Sequence, residues 1–228
     1  MKIARIQTSR GTGFAARDDR GGWVPLEAMG IVAARRPEYP MVFAKFPSSL
    51  NDPYGRIVMD DRLTDKGDYE SELAVVIGRR TRGIAEDEAL NCVFAYSVGN
   101  DVSARDWQRA DGQFDRSKSF DTFCPIGPWL TTADEIPDPQ ALTVRSSVNG
   151  EVRQDSSTSE MIFSVRHLVW YIARGMTLEP GDVILTGTPH GVGFAMDPPR
   201  YLVPGDVVEC EVGSLGRIRN EVVAPSRT

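Results

Sequence analysis

The sequence predicts a mainly β chain with some α, and three observations lead there. Leu73-Ala74-Val75-Val76-Ile77 is an apolar run stopped by Gly78, the length of a buried strand and too short for a helix. Leu142 to Val148 alternates with period two and meets Asn149-Gly150, a strong hairpin signal. Pro180-Gly181-Asp182 and Pro204-Gly205-Asp206 are turn sequences that each launch another apolar run.

In chain order, residues 1 to about 30 alternate weakly around Arg10-Gly11-Thr12-Gly13 and Arg20-Gly21-Gly22, which predicts a small N-terminal sheet. Glu70 and Glu72 open the strand that ends at Ile77. A second strand begins at Val93 and ends at Gly99, placing Asp101 at its mouth. The Ser103 hydroxyl is positioned to cap a short helix carrying Gln108. A longer helix is predicted over 164–175: Val165, Leu168, Val169 and Ile172 share one face, Ser164 caps the start and Gly175 stops the end. The last strands are Val183-Ile184-Leu185 and the run from Val207 to Val212. No internal repeat or low-complexity tract interrupts this order.

At 228 residues and 41% hydrophobic content, the chain can bury one sizeable core plus a small appendage. Its net charge of -6, with no basic stripe, argues against nucleic acid as a partner. Cys92, Cys124 and Cys210 show no ligand spacing and are odd in number, which fits a reducing compartment and makes the cytoplasm the expected address. The first ten residues contain no apolar signal core. No apolar run approaches the roughly 20 residues of a membrane helix, so no membrane association is expected.

The chemistry concentrates on three carboxylates. Side chains at i and i+2 of a strand share a face, so Glu70 and Glu72 aim the same way. If the strands ending near Glu70 and Asp101 are neighbours, three anions converge. A desolvated carboxylate cluster persists only when a proton, a cationic side chain or a metal compensates it. Oxygen-only ligands favour hard ions, with Mg2+ first and Mn2+ or Ca2+ behind it. A solvated Glu-x-Glu strand face and an ordinary Asn-Asp turn are the alternatives that spacing alone leaves open. A second such pair, Glu209-Cys210-Glu211, has no Asp in a comparable setting and reads as an exposed strand face.

Further segments join the first two. Asn100-Asp101-Val102-Ser103-Ala104-Arg105-Asp106, Lys118-Ser119-Phe120-Asp121 running to Pro125-Ile126-Gly127-Pro128, and Thr186-Gly187-Thr188-Pro189 follow Glu70-Ser71-Glu72 in order. With that order the chain resembles the fumarylacetoacetate hydrolase family over about residues 41 to 215. The resemblance implies a mixed β-sandwich roll with a small N-terminal sheet, divided into a region 1–40 and a catalytic domain 41–228. It implies that Glu70, Glu72 and Asp101 bind a divalent cation, usually Mg2+, and that Gln108, Lys118 and Thr188 contact a small 2-oxo acid, in a chain expected to form a homodimer. Lys118 also has an electrostatic rationale: three carboxylates and a dication sum to a negative charge, so an anionic substrate needs a nearby cation. Arg105 and Asp106 read as a pair that fixes local backbone.

The resemblance implies, first, Mg2+-dependent hydrolysis of a C–C bond in a 2,4-diketo acid of acylpyruvate or fumarylpyruvate type, with Lys118 in a catalytic role. Decarboxylation, isomerisation (oxaloacetate or a diene diacid) and a degenerate cation-binding member are the alternatives. One departure bears on the choice. Hydrolytic relatives carry a His and a Glu on a lid upstream of the metal strand, whereas here Gly30 to Pro40 runs directly into Met41-Val42-Phe43-Ala44-Lys45-Phe46-Pro47. The lid is either truncated or missing from this sequence. The remaining histidines are His167, expected to be a packing or surface residue, and His190, which follows the Thr188-Pro189 turn toward the pocket rim.

Overall fold

The computed structural model describes residues 3–8, 11–17, 23–25 and 37–226. The chain divides into two compact units, Met1–Tyr39 and Pro40–Thr228. In the first, strands β1 (Ile3–Thr8), β2 (Gly11–Arg17) and β3 (Trp23–Pro25) form an antiparallel sheet in the order β1-β2-β3. The small N-terminal sheet is therefore present. The segment where the lid is expected, about 30–35, lies outside the described residues.

The second unit holds β4 (Leu50–Asn51), β5 (Ile57–Val58), β6 (Gly67–Asp68), β7 (Ser71–Ile77), β8 (Val93–Asn100) and β9 (Ser103–Ala104). Helix α1 (Arg105–Asp111) follows, then β10 (Cys124–Thr132), β11 (Thr143–Val148), β12 (Glu151–Ser157), helix α2 (Val165–Ala173), β13 (Val183–Leu185), β14 (Val207–Val212) and β15 (Arg217–Val223). They build two five-stranded sheets, β13-β7-β8-β10-β4 and β12-β11-β14-β15-β5, with β6 and β9 paired separately. β10 runs parallel to β4 and β15 parallel to β5, while the other ladders are antiparallel. This is the mixed β-sandwich roll that the resemblance implies.

The sheets pack face to face because alternate residues on each are apolar. Leu73, Val75, Ile77, Tyr96 and Val98 of the first sheet share one core with Val144, Val208, Cys210, Val212, Ile218 and Val222 of the second. Each such aliphatic side chain contributes about 1.5–3 kcal/mol on burial. β7 is buried along all seven residues and lies between β13 and β8, so it is a rigid base for whatever stands at its end.

Local signals act as read at several points. Asn149 (φ 53) and Gly150 (φ 80) make the left-handed two-residue turn joining β11 to β12. Ser164 Oγ accepts a 3.1 Å hydrogen bond from His167 N and starts α2, which buries Val165, Val169 and Ala173. Two readings are corrected. Gly99 does not end its strand: β8 continues to Asn100, and Gly99 is needed because a Cβ there would stand 2.5 Å from Leu185 Cδ2. Ser103 does not cap α1. It sits in β9, and its hydroxyl donates to Asp101 O at 3.0 Å.

Candidate active site

β7 and β8 are antiparallel neighbours, with Ser71 opposite Asn100 and Glu72 opposite Gly99. One step further along the same ladder, Asp101 N donates to Glu70 O at 2.9 Å, and Asn100 Oδ1 accepts from Glu70 N at 3.0 Å. This register brings the three carboxylates together. Glu70, Glu72 and Asp101 each offer an oxygen within 4.8 Å of the others, and the residues are only 7%, 2% and 1% exposed.

Cations crowd around two of the three. Lys118 Nζ lies 2.9 Å from Glu70 Oε2, 2.7 Å from Asp101 Oδ2 and 2.8 Å from Ser103 Oγ. Lys45 Nζ donates to Asp101 Oδ1 at 2.7 Å, to Phe123 O at 3.1 Å and to Lys118 O. Arg105 Nη1 reaches Glu70 Oε1 at 2.6 Å while its Nε donates to Asp68 Oδ2 at 2.9 Å. Four buried carboxyl groups, including Asp68, thus face three cations, which leaves one carboxyl group without a cationic partner.

That group is Glu72. It has no ion pair among the described residues and accepts a 2.7 Å bond from Gly187 N. Burial, with Asp101 and Glu70 adding to it, pushes its carboxyl well above the usual range, opposed by Lys118 and the Gly187 N–H. A desolvated carboxylate facing two others is what a hard dication would neutralise, and the donor set is oxygen only, so the residues fit such an ion. At Lys118 burial alone would lower the ammonium pKa, but Glu70, Asp101 and Glu72 outweigh it and hold the group above its usual value. The surrounding carboxylates thus favour the ammonium form of Lys118.

Gln108 and Thr188 stand one contact away from the trio. Gln108 Oε1 accepts from Arg105 Nη1 at 3.1 Å. Thr188 follows Gly187, whose positive φ of 96° turns its N–H to Glu72. The Thr188 hydroxyl donates to Ser71 O at 3.1 Å and accepts from Gln154 Nε2 at 2.8 Å. His190 is exposed, and His167, on α2, has its Nδ1 3.0 Å from Glu86 Oε1 and its ring stacked on Phe163.

Arg105 is more than the backbone brace expected. Its guanidinium joins Asp68 and Glu70 and lies 4.5 Å over the Phe194 ring, whereas Asp106 accepts from Thr64 Oγ1 at 2.7 Å. Asp68, fully buried, also takes hydrogen bonds from Tyr69 N, Gly193 N and Phe194 N, and so ties the loop after Pro189 to α1. Buried Gln154 joins Ser71 N to the Thr188-Pro189 turn. The need for cations near three carboxylates could have pointed to Arg105, four residues beyond Asp101. Nothing local marks Lys45, Asp68 or Gln154.

The family described as "Fumarylacetoacetate (FAA) hydrolase C-terminal" matches residues 23–223. Oxaloacetate tautomerase FAHD2A, mitochondrial, of Bos taurus is 46% identical over 189 residues, covering 82% of this chain and 60% of that protein. The chain thus matches less than two thirds of that relative's length. Among solved structures, the fumarylacetoacetate hydrolase of Exiguobacterium antarcticum superposes with a TM-score of 0.81 at 44% identity, covering 86% of this chain and 71% of that one. Maleylpyruvate hydrolase of Sphingobium sp. SYK-6, in complex with manganese(II) and pyruvate, has a TM-score of 0.72 at 34% identity, covering 81% and 64%. With its motifs, its sandwich and these likenesses in agreement, the chain belongs to the fumarylacetoacetate hydrolase family.

Proposed function

We propose that the chain is a divalent-metal-dependent isomerase that interconverts the enol and keto forms of oxaloacetate or a similar 2-oxo dicarboxylic acid. The observation that carries this reading is the buried trio Glu70, Glu72 and Asp101, in which Glu72 has no cationic partner and Lys118 bridges the other two. The 46% identity to an oxaloacetate tautomerase supports the choice of reaction. The hydrolysis first expected from the resemblance has less support, since it would need a further base to activate water, whereas the tautomerase relative favours a proton shift alone.

Glu70, Glu72 and Asp101 would hold the ion, Mg2+ or Mn2+. When bound, it supplies Lewis acidity at the 2-oxygen. Tautomerisation moves one proton from the 2-hydroxyl to C3, breaks no carbon–carbon bond and consumes no water. The chain therefore has to clamp a dianion and relay a proton. Lys118 contributes the charge that offsets the substrate carboxylates, and its Nζ, bonded to Ser103 Oγ and two carboxylates, would deliver a proton to C3 and be reprotonated by the proton leaving the 2-hydroxyl. Buried Arg105 Nη2 has no hydrogen-bond partner, and a substrate carboxylate would supply one. Gln108 and Thr188 orient the remaining polar atoms. Three buried free thiols suit a reducing compartment, and a homodimer is the assembly we favour. No helix among the described residues is long and apolar enough to cross a membrane.

The test follows the ultraviolet absorbance of enol-oxaloacetate with the full-length chain and Mn2+ or Mg2+. Chelator-sensitive acceleration of its decay, with no pyruvate or CO2 formed, is the expected result. Pyruvate release at an unaccelerated tautomerisation rate would replace the reading with decarboxylation, and acetate release from acetylpyruvate would replace it with hydrolysis.

A further inference from the structure

A separate pocket of about 390 Å³ is lined by Tyr69, Asn149, Arg153, Arg200, Tyr201 and Leu202 among others, and by none of Glu70, Glu72, Asp101 or Lys118. Its cationic floor comes from an irregularity in the second sheet. Ser146 pairs with Gln154 and Ser147 with Val152, so Arg153 is the extra residue of a β-bulge, a feature that re-aims a side chain. The Arg153 side chain is only 10% exposed, yet its donors are poorly served. Nη2 lies 3.2 Å from Glu151 Oε2, Nη1 points at the weak acceptor Met196 Sδ at 3.2 Å, and Nε has no partner.

Arg200 adds a second guanidinium to the same carboxylate. Its Nη1 donates to both oxygens of the same Glu151, at 2.9 and 3.0 Å, so two guanidinium groups share one carboxylate. Asp206 also lines the pocket as a second carboxylate, its oxygens directed to Asn149 Nδ2 at 2.8 Å and Val203 N at 2.9 Å, so an incoming anion has to rely on the arginine donors. A buried guanidinium with an orphan N–H calls for an acceptor, and its planar fork matches two oxygens of one anion. Tyr69 walls the pocket beside these arginines, its hydroxyl donating to Gly191 O at 2.9 Å.

We propose that this pocket is a second ligand site, for a small oxyanion of carboxylate or phosphate chemistry held by Arg153 and Arg200. The site stands independently of the metal reading. The experiment uses the full-length chain and follows the arginine Nε–H resonances by NMR while inorganic phosphate, or separately malonate, is added in the millimolar range. The expected result is a saturable shift of the Arg153 Nε–H with at least one of the two, and the better ligand tells phosphate from carboxylate. Arg153→Gln should weaken binding by about tenfold, the scale of one charged hydrogen bond, and Arg200→Gln by about threefold. Arg200 is half-exposed, so its variant keeps the comparison valid even if Arg153→Gln fails to fold. No saturable shift with either anion overturns the proposal. So does binding that survives Arg153→Gln and disappears in Lys118→Met, which would place the anion in the carboxylate cluster.

Discussion

Two Glu-x-Glu segments stand back to back in this molecule, one on each five-stranded sheet. Ser71, in the middle of Glu70-Ser71-Glu72, meets Cys210, in the middle of Glu209-Cys210-Glu211, across the sandwich interior. Each acidic pair therefore faces away from the other. Glu209 and Glu211 lie within β14, flanked across the ladders by Arg219, Arg217 and Arg145, and Glu209 has ion-pair distances of 3.3 Å to Arg217 and 3.9 Å to Arg219. Glu70 and Glu72 lie at the end of β7, where Asp101, Lys118 and the Gly187 turn cover them. The spacing of a motif fixes which side chains share a face. Whether that face becomes a site depends on what the rest of the chain lays over it.

The largest expected effect breaks the covered pair. Glu72→Ala should reduce metal-dependent turnover of a 2-oxo acid by at least about 100-fold, because it removes the one member of the trio that no cationic side chain pairs and that a metal would claim. It should also abolish stabilisation by the ion. At a free metal concentration 100 times Kd, the intact chain should gain about 2.7 kcal/mol, or roughly 5–10 °C in Tm for a domain of this size. Unchanged turnover together with an unchanged metal-induced Tm shift would remove the metal from the account.

A second effect tests the covering itself. Asp68 receives Arg105 Nε, Gly193 N, Phe194 N and Tyr69 N on one fully buried carboxylate. Asp68→Ala leaves a buried guanidinium half-paired and two loop N–H groups without acceptors. We expect a loss of about 3–5 kcal/mol, read from the urea midpoint at constant m-value. A loss under about 1 kcal/mol would show that the loop after Pro189 is held by other contacts.

The contrast between the two segments also shows how far the sequence could be read. Strand identities were legible wherever short-range rules dominate: the apolar run of β7, the Asn149-Gly150 turn and the Ser164 cap of α2 all depend on neighbours within a few residues. The trio was legible because its members sit at strand ends that two adjacent strands must bring together. The compensating charges were not. Lys45 reaches Asp101 from 56 residues away, and Asp68 reaches Gly193 from 125, so only the closed fold makes them neighbours. Gly99 misled for a related reason: a glycine in a strand reads as a stop, whereas here it makes room for Leu185 from β13.

The smallest effect is expected at the open pair, and its smallness is informative. Glu209 is 22% exposed, but Arg217 and Arg219 are each 58% exposed, so water and salt screen both contacts. Its other contact, from Ser147 Oγ at 3.3 Å, is long. Glu209→Ala should therefore change stability by no more than about 0.5 kcal/mol and leave turnover within about twofold. Thermal unfolding and the enol-decay assay on that variant measure both. A loss above about 2 kcal/mol, or an altered metal dependence, would mean that the outer face of β14 is buried against something in solution. The two acidic pairs would then differ in what covers them and no longer in whether they are covered.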